Sequence, residues 1–274
     1  FQRPVTLIPP RGPGETANMR SPSSRESIFV SEVFSAIQGE GALVGERQVF
    51  LRLSGCNIRC TYCDQPEALE KKPGPCRIEQ TPGDRDWETV DSPLPCSDVV
   101  AAVDRLWRAL PHHSLSVTGG EPLLQSARLA HLLPQLKERG CLTMLETNGI
   151  LVSALQRVLP WVDHVSMDIK LDSVDEQAVD LSTHAEFLRI AMSRDVYVKI
   201  VIGLDTDSTE LAAAVQMVND ASRDIEVFLQ PLSPFGPVRS GPTPRQVLDL
   251  QAEALRIHPH VRVVPQTHKM IDQL

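Results

Sequence analysis

SLSVTGGEPLLQSARLAHLLPQLKERGCLTMLET, residues 114–147, holds one complete strand–helix–strand unit. SLSVT (114–118) and LTMLET (142–147) are short apolar, β-branched runs of strand length. Between them apolar residues return every three or four positions, with Pro122 near the start and Gly140 just past the end, as helix boundaries prefer. Two strands joined through one helix pair in parallel by a right-handed crossover.

The unit repeats in both directions. Further strands are predicted at VFLRLS (49–54), HVSMDIK (164–170), VYVKIVI (196–202), IEVFLQ (225–230) and VRVVP (261–265). Amphipathic stretches fall between them: DVVAAVDRLWRAL, ILVSALQRVL, AEFLRIAMSR, TELAAAVQMVNDAS and PRQVLDLQAEALRI. Six such repeats predict an α/β fold built on a parallel sheet. We read it as a partial (β/α) barrel, open or truncated; periodicity alone does not separate this from a closed barrel or a doubly wound sheet. IFVSEVFSAIQGEG adds a β segment ahead of the repeats, ending in a glycine-rich turn. Residues 1–26, rich in Pro, Arg, Ser and Gly, read as a flexible leader, and 27–274 as one domain. Residues 66–96 break the rhythm with Pro, Gly and charge, and read as an insertion or lid over the preceding loop.

A chain of 274 residues with 42% hydrophobic content buries a sizeable core. Its net charge of −8 argues against a nucleic-acid or anionic-membrane binder. No apolar run approaches the ~18 residues of a transmembrane helix. Six cysteines are too sparse for a disulfide scaffold, and three of them cluster, which points to metal in a reducing, cytoplasmic setting.

In parallel α/β folds the ligand site lies at the carboxyl ends of the strands. The segments following each strand here are the cysteine loop, GGEP, ETNG, DIK, QPLSP and PQTHK. Polar and glycine residues thus gather at one edge, as a binding site requires.

Cys56, Cys60 and Cys63 in GCNIRCTYCDQ provide three thiols within eight positions. Structural zinc takes four ligands, commonly as two pairs, and here Cys76 or Cys96 would have to supply the fourth. Iron–sulfur ligation is the favoured reading, with zinc second and inert buried thiols third. A cubane held by three cysteines leaves one iron open to a substrate or cofactor. The glycines of GGEP allow close backbone approach or simply a tight strand-to-helix turn. Gln38 and Glu40 in IQGEG match the N–H and C=O edge of a heterocycle, or belong only to a turn. Arg52, mid-strand, suits either a ligand carboxylate or a structural ion pair. Lys170 and Lys199, also on strands, need partners such as Asp168 or Glu146.

The C-x₃-C-x₂-C loop after one strand and GGEP after the next resemble the radical S-adenosylmethionine (SAM) enzymes. More narrowly, SAIQGEGALVGERQVFLRLSGCNIRCTYCD, VTGGEP, LETNG, DIK, LQPLSP and PQTHK, in that order, resemble the 7-carboxy-7-deazaguanine synthase family. That resemblance implies a 4Fe–4S cluster on Cys56, Cys60 and Cys63, its open iron chelating SAM. It implies conversion of 6-carboxy-5,6,7,8-tetrahydropterin to 7-carboxy-7-deazaguanine with loss of ammonia, toward queuosine and other deazapurines. Carried over, Ile37, Gln38, Gly39, Glu40, Arg52 and Thr118 meet the pterin. Gly119, Gly120, Glu121, Glu146, Ser166, Asp168 and Lys170 meet SAM. A magnesium ion, a flavodoxin-type reductant and a homodimer are also implied.

The chain departs from that family two residues after the third cysteine, where Thr or Ser is usual and Gln65 stands here. A glutamine carbonyl is a hard-oxygen ligand, but a longer one. Two radical rivals follow: an activase of glycyl-radical enzymes, sharing the cysteine loop, and an enzyme acting on another heterocycle. A zinc-stabilised α/β binding module is the non-enzymatic rival.

Overall fold

The computed structural model describes residues 26–70, 74–175, 180–236 and 238–273. Its first strands are β1 (Ser27–Ile28), β2 (Val30–Ile37) and β3 (Arg47–Leu53). β4 (Cys76–Glu79), β5 (Trp87–Val90) and β6 (Leu94–Pro95) lie within the expected insertion. Then α1 (Cys96–Ala109), β7 (Ser114–Gly119), α2 (Ser126–Lys137), β8 (Thr143–Thr147), α3 (Val152–Val158) and β9 (His164–Ile169) alternate. α4 (Asp172–Asp175), α5 (Leu181–Ala191), β10 (Asp195–Ile202), α6 (Ser208–Ala221), β11 (Val227–Pro231), α7 (Pro244–Ile257) and β12 (Val261–Val263) follow.

Ten strands form one sheet in the order β12-β11-β10-β9-β8-β7-β3-β2-β4-β5. From β3 to β12 every neighbouring pair is parallel. The seven predicted repeat strands and the six helices between them are all present. Helices cover one face of these strands and the other face turns inward, so β3, β7 and β10 are buried along nearly their whole length. Chain direction is enforced at the helix starts. Asp207 caps α6 by accepting from Thr209 and Glu210 N–H, and Thr243 with Gln246 forms a capping box on α7 behind Pro244.

The sheet is open, yet it curls. Six strands separate β12 from β2 in the sheet order, but Thr267 N–H, just beyond β12, donates to Gly39 O, just beyond β2 (3.0 Å). A flat sheet could not bring those residues together. The result is a partial barrel whose gap is spanned where the turn after β2 meets the segment after β12.

The lid expected within 66–96 takes another form. β4 pairs in parallel with β2, and β5 pairs antiparallel with β4, so this hairpin extends the sheet at its far edge. β2 offered an unpaired edge, and Arg77 seals the junction by pairing with Glu32 and lying over the Trp87 ring. The expected leader, apart from Glu26, lies outside the described residues.

Candidate active site

β3 ends at Leu53, and the cysteine loop that follows is held by backbone rather than by length. Gly55 N–H donates to Ala68 O (2.8 Å), Cys56 N–H to Leu69 O (3.2 Å), and Glu121 N–H to Gly55 O (2.8 Å). Cys56, Cys60 and Cys63 all line one cavity at the carboxyl ends of the strands. Burial raises all three thiols above their ordinary value, so the bare thiolates need a cationic partner. Backbone N–H groups of Ile58 and Asn57 reach the Cys56 sulfur, and that of Gln65 reaches Cys63, the donors that cluster sulfurs accept.

Two observations separate the metal readings. Cys76, Cys96 and Cys141 are buried in β4, α1 and the start of the β8 segment, and none lines the cavity. Tetrahedral zinc thiolates place their sulfurs roughly 3.8 Å apart. Among the described residues the only three His, Cys, Asp or Glu ligands that meet within 4.8 Å are Glu40, Asp64 and His268. The three sulfurs are therefore spread too widely for one zinc ion. Their donor chemistry fits a multi-iron cluster.

The glycines of GGEP serve backbone packing. Gly119 has φ +131°, and a Cβ there would lie 2.0 Å from Leu53 O; one on Gly120 would lie 2.4 Å from Gly55 O. Only glycine lets β7 approach β3 and the cysteine loop this closely, and both residues also line the cavity. Glu121, expected to touch cofactor, does not line it. Its carboxylate is buried beneath, accepting from Leu123 N–H (3.0 Å), Asn148 N–H (2.8 Å) and the Thr147 hydroxyl (3.0 Å). Burial pushes it up to about 7 against those hydrogen bonds. Glu121 thus caps the Pro122–Gln125 turn and ties it to ETNG.

The remaining predicted residues converge on the cavity: Ile37, Gln38, Gly39, Glu40, Arg52, Gln65, Thr118, Glu146, Ser166, Asp168 and Lys170 all line it. Gln38 donates to Gln48 (2.9 Å) and to Glu146 (3.0 Å), and Glu146 also accepts from Ser116 (2.7 Å) and Thr118 (3.1 Å). Lys199 pairs with Glu40 and stands 3.7 Å from Asp168, which Lys170 pairs at 2.6 Å. Burial alone would raise the Glu40 carboxyl, but the charge and hydrogen bond of Lys199, with Gln266, hold it down to about 2. Arg52 adopts the ion-pair alternative through Nε, 2.9 Å from Glu32, and lies over the Phe34 ring while still facing the cavity.

Sequence reading passed over several wall residues. Gln266 Nε2 donates to both Glu40 (2.9 Å) and Asp64 (3.0 Å), and Lys269 pairs with Asp64 (3.1 Å). PQTHK is thus part of the wall. Gln230 of β11 and Asn148 of ETNG also line it, and their buried Oε1 and Oδ1, like Asp168 Oδ1, have no hydrogen-bond donor among the described residues. Three unmet acceptors suit a ligand rich in N–H groups. Asn148 lies one residue past β8 and Gln230 near the end of β11, within the ETNG and QPLSP segments of the carboxyl edge, which was the available signal.

Residues 51–220 match the family model of the radical SAM superfamily. The chain is 42% identical over 253 residues to a 7-carboxy-7-deazaguanine synthase of Geobacter sulfurreducens, covering 92% of this chain and 100% of that protein. A protein of the same name from Methanocaldococcus jannaschii is 30% identical over 257 residues, covering 90% and 100%. Among solved structures, QueE from Escherichia coli superposes with a TM-score of 0.59 at 22% identity, over 88% of this chain and 95% of that one. Streptococcus suis SuiB bound to S-adenosylmethionine gives 0.53 at 13% identity, over 77% and 48%. Both structural likenesses concern the fold.

Proposed function

This chain belongs to the 7-carboxy-7-deazaguanine synthase family of the radical SAM superfamily, and on that premise we propose that it converts 6-carboxytetrahydropterin to 7-carboxy-7-deazaguanine with loss of ammonia. The carrying observation is that three spread thiols and the Gln38–Glu40–Glu146 wall face one cavity at the carboxyl ends of parallel strands. The superfamily's cofactors are a 4Fe–4S cluster, here on Cys56, Cys60 and Cys63, and SAM, which together supply the radical that starts the reaction.

The chain's own residues bind, orient and hold protons. Asp168 and Asn148, with unmet acceptors beside the cysteine loop, receive the N–H groups of SAM. Gln38 and Glu40 present an amide and an ionised carboxylate to the pterin ring edge, and Thr118 limits its depth. Arg52 keeps its positive charge facing the cavity while Glu32 fixes its direction, which suits the substrate carboxylate. Burial lowers the pKa of His268, so near neutral pH its imidazole is a proton acceptor beside Glu40. Magnesium would be held at the end of the cavity where Glu40, Asp64 and His268 meet within 4.8 Å, and Gln65, a possible hard-oxygen ligand, lines the same cavity. We take residues 27–274 as one domain with an insertion at 66–96, and expect a flavodoxin-type reductant and a homodimer. No described helix is long and apolar enough to cross a membrane.

The test is anaerobic reconstitution with iron and sulfide, then dithionite, SAM and 6-carboxytetrahydropterin, with and without magnesium. Brown protein yielding 5′-deoxyadenosine and 7-carboxy-7-deazaguanine is expected, with Gln65→Thr altering the magnesium response. Brown protein that cleaves SAM without making the deazaguanine would remove the substrate and leave the superfamily.

A further inference from the structure

Asp175, the last residue of α4, is 2% exposed and forms no part of the cavity wall. Its Oδ1 accepts the backbone N–H of Thr61 (2.7 Å) and the Thr61 hydroxyl (3.2 Å). Thr61 follows the second cysteine of the loop directly, so the carboxylate that holds its N–H stands beside Cys60. The contact is built from behind. Asp175 N–H donates to Leu171 O (3.1 Å), and Ser173 bolts α4 to α6 by donating N–H (3.0 Å) and hydroxyl (2.6 Å) to Glu210. Among the described residues, Asp175 Oδ2 is buried without a hydrogen-bond partner. Burying a carboxylate half-satisfied is costly, so a position that keeps one has a use for its charge or its shape.

We infer that Asp175 is a positioning residue for the cysteine loop whose negative charge lowers the reduction potential of the iron–sulfur group held by Cys60 and its two companions. The inference rests on the radical SAM reading. A fixed negative charge beside a ligand sulfur opposes the arrival of an electron, and it does so strongly where water is excluded. Net charge and hydrogen bonding around the sulfurs are among the levers that set cluster potentials. Through Thr61 the same carboxylate fixes the backbone between the second and third ligands, so charge and geometry come from one side chain.

The test is a potentiometric EPR titration of the reconstituted wild type, Asp175→Asn and Asp175→Glu proteins. Asparagine keeps an acceptor for Thr61 N–H and removes the charge; glutamate keeps the charge. The expected result is a more positive midpoint in Asp175→Asn, by at least a tenfold change in the reduction equilibrium, about 59 mV for one electron. Asp175→Glu should remain at the wild-type value. Uptake of iron by Asp175→Glu but not by Asp175→Asn also upholds the need for the charge. An unchanged midpoint in Asp175→Asn overturns the inference, as does loss of the cluster from both variants. Wild-type protein with no cluster signal would instead remove the radical SAM reading, before any variant is compared.

Discussion

Replacing Lys199 with methionine keeps the apolar stem and deletes the ammonium that Glu40 and Asp168 share. Glu40 and Lys199 side chains are 18% and 10% exposed, so solvent screens their pairing only weakly. The native site holds the Glu40 carboxyl at about 2 instead of its ordinary 4.5, although burial works the other way. Returning it to 4.5 or above costs roughly 3 kcal/mol at 1.36 kcal/mol per pKa unit. Removing one partner of a buried pair costs about 3–5 kcal/mol, which agrees. For a domain this large each kcal/mol moves the midpoint by roughly 2–4 °C, so Tm should fall by roughly 6–12 °C. The sign with pH is fixed. A carboxyl depressed in the folded state contributes above pH 4.5 and loses that contribution as pH falls toward 2, so wild type and variant should converge in acid. Denaturant unfolding of wild type, Lys199→Met and the Lys199→Met/Glu40→Gln double variant at several pH values measures this. The double variant should recover part of the loss, because no unpaired carboxylate remains. A single variant within about 0.5 kcal/mol of wild type at pH 7 would refute the pairing argument, as would a gap that ignores pH.

Gly119→Ala should destabilise by at least about 3 kcal/mol, since the new Cβ strikes Leu53 O at a φ that side chains avoid; a melting temperature equal to wild type would contradict this. Glu121 carries the opposite pH sign from Glu40. Its folded value is raised from 4.5 to about 7, so its contribution is full below pH 4.5 and declines by roughly 3 kcal/mol as pH rises through 7. Glu121→Gln should lose that slope, while its amide group, set against the Leu123 or Asn148 N–H, lowers stability by about 1–3 kcal/mol. Unfolding free energies at pH 4.5 and 7.5 decide it, and a slope retained in the variant would count against the assignment.

The repeat strands and helices were legible because each carries its own period: β-branched runs for β7 to β12, apolar residues at three- and four-residue spacing for α1, α2, α6 and α7. The β4–β5 hairpin was not. CRIE and WETV are four residues each and polar on much of their surface, so their pairing depends on the free edge of β2, which is a tertiary fact. Site membership was legible for many residues at strand ends, although Asn148 and Gln266 were passed over, and partners were not legible. Glu40 and Lys199 are 159 residues apart, and Arg52 meets Glu32 only through the antiparallel register of β2 on β3. GGEP illustrates the same limit from the other side: its glycines were visible, while the backbone they admit, Leu53 and Gly55, was not.

The ion pairs along the cavity wall bear on how a ligand gets in. Lys170, Lys199 and Lys269 are matched by Asp168, Glu40 and Asp64, and Arg52 by Glu32. Glu146, held by the neutral donors Gln38, Ser116 and Thr118, has no such cation among the described residues, so the field a visitor meets is weakly negative. A ligand carboxylate must exchange places with an internal carboxylate to reach a lysine, whereas ligand N–H groups can use the unmet acceptors of Asp168, Asn148 and Gln230. Association of an anionic ligand should then be slow compared with steered encounters, because neither the net charge of −8 nor Glu146 draws an anion inward. Discrimination shifts to the moment of exchange, when a molecule lacking the right groups leaves a buried charge stranded and is expelled.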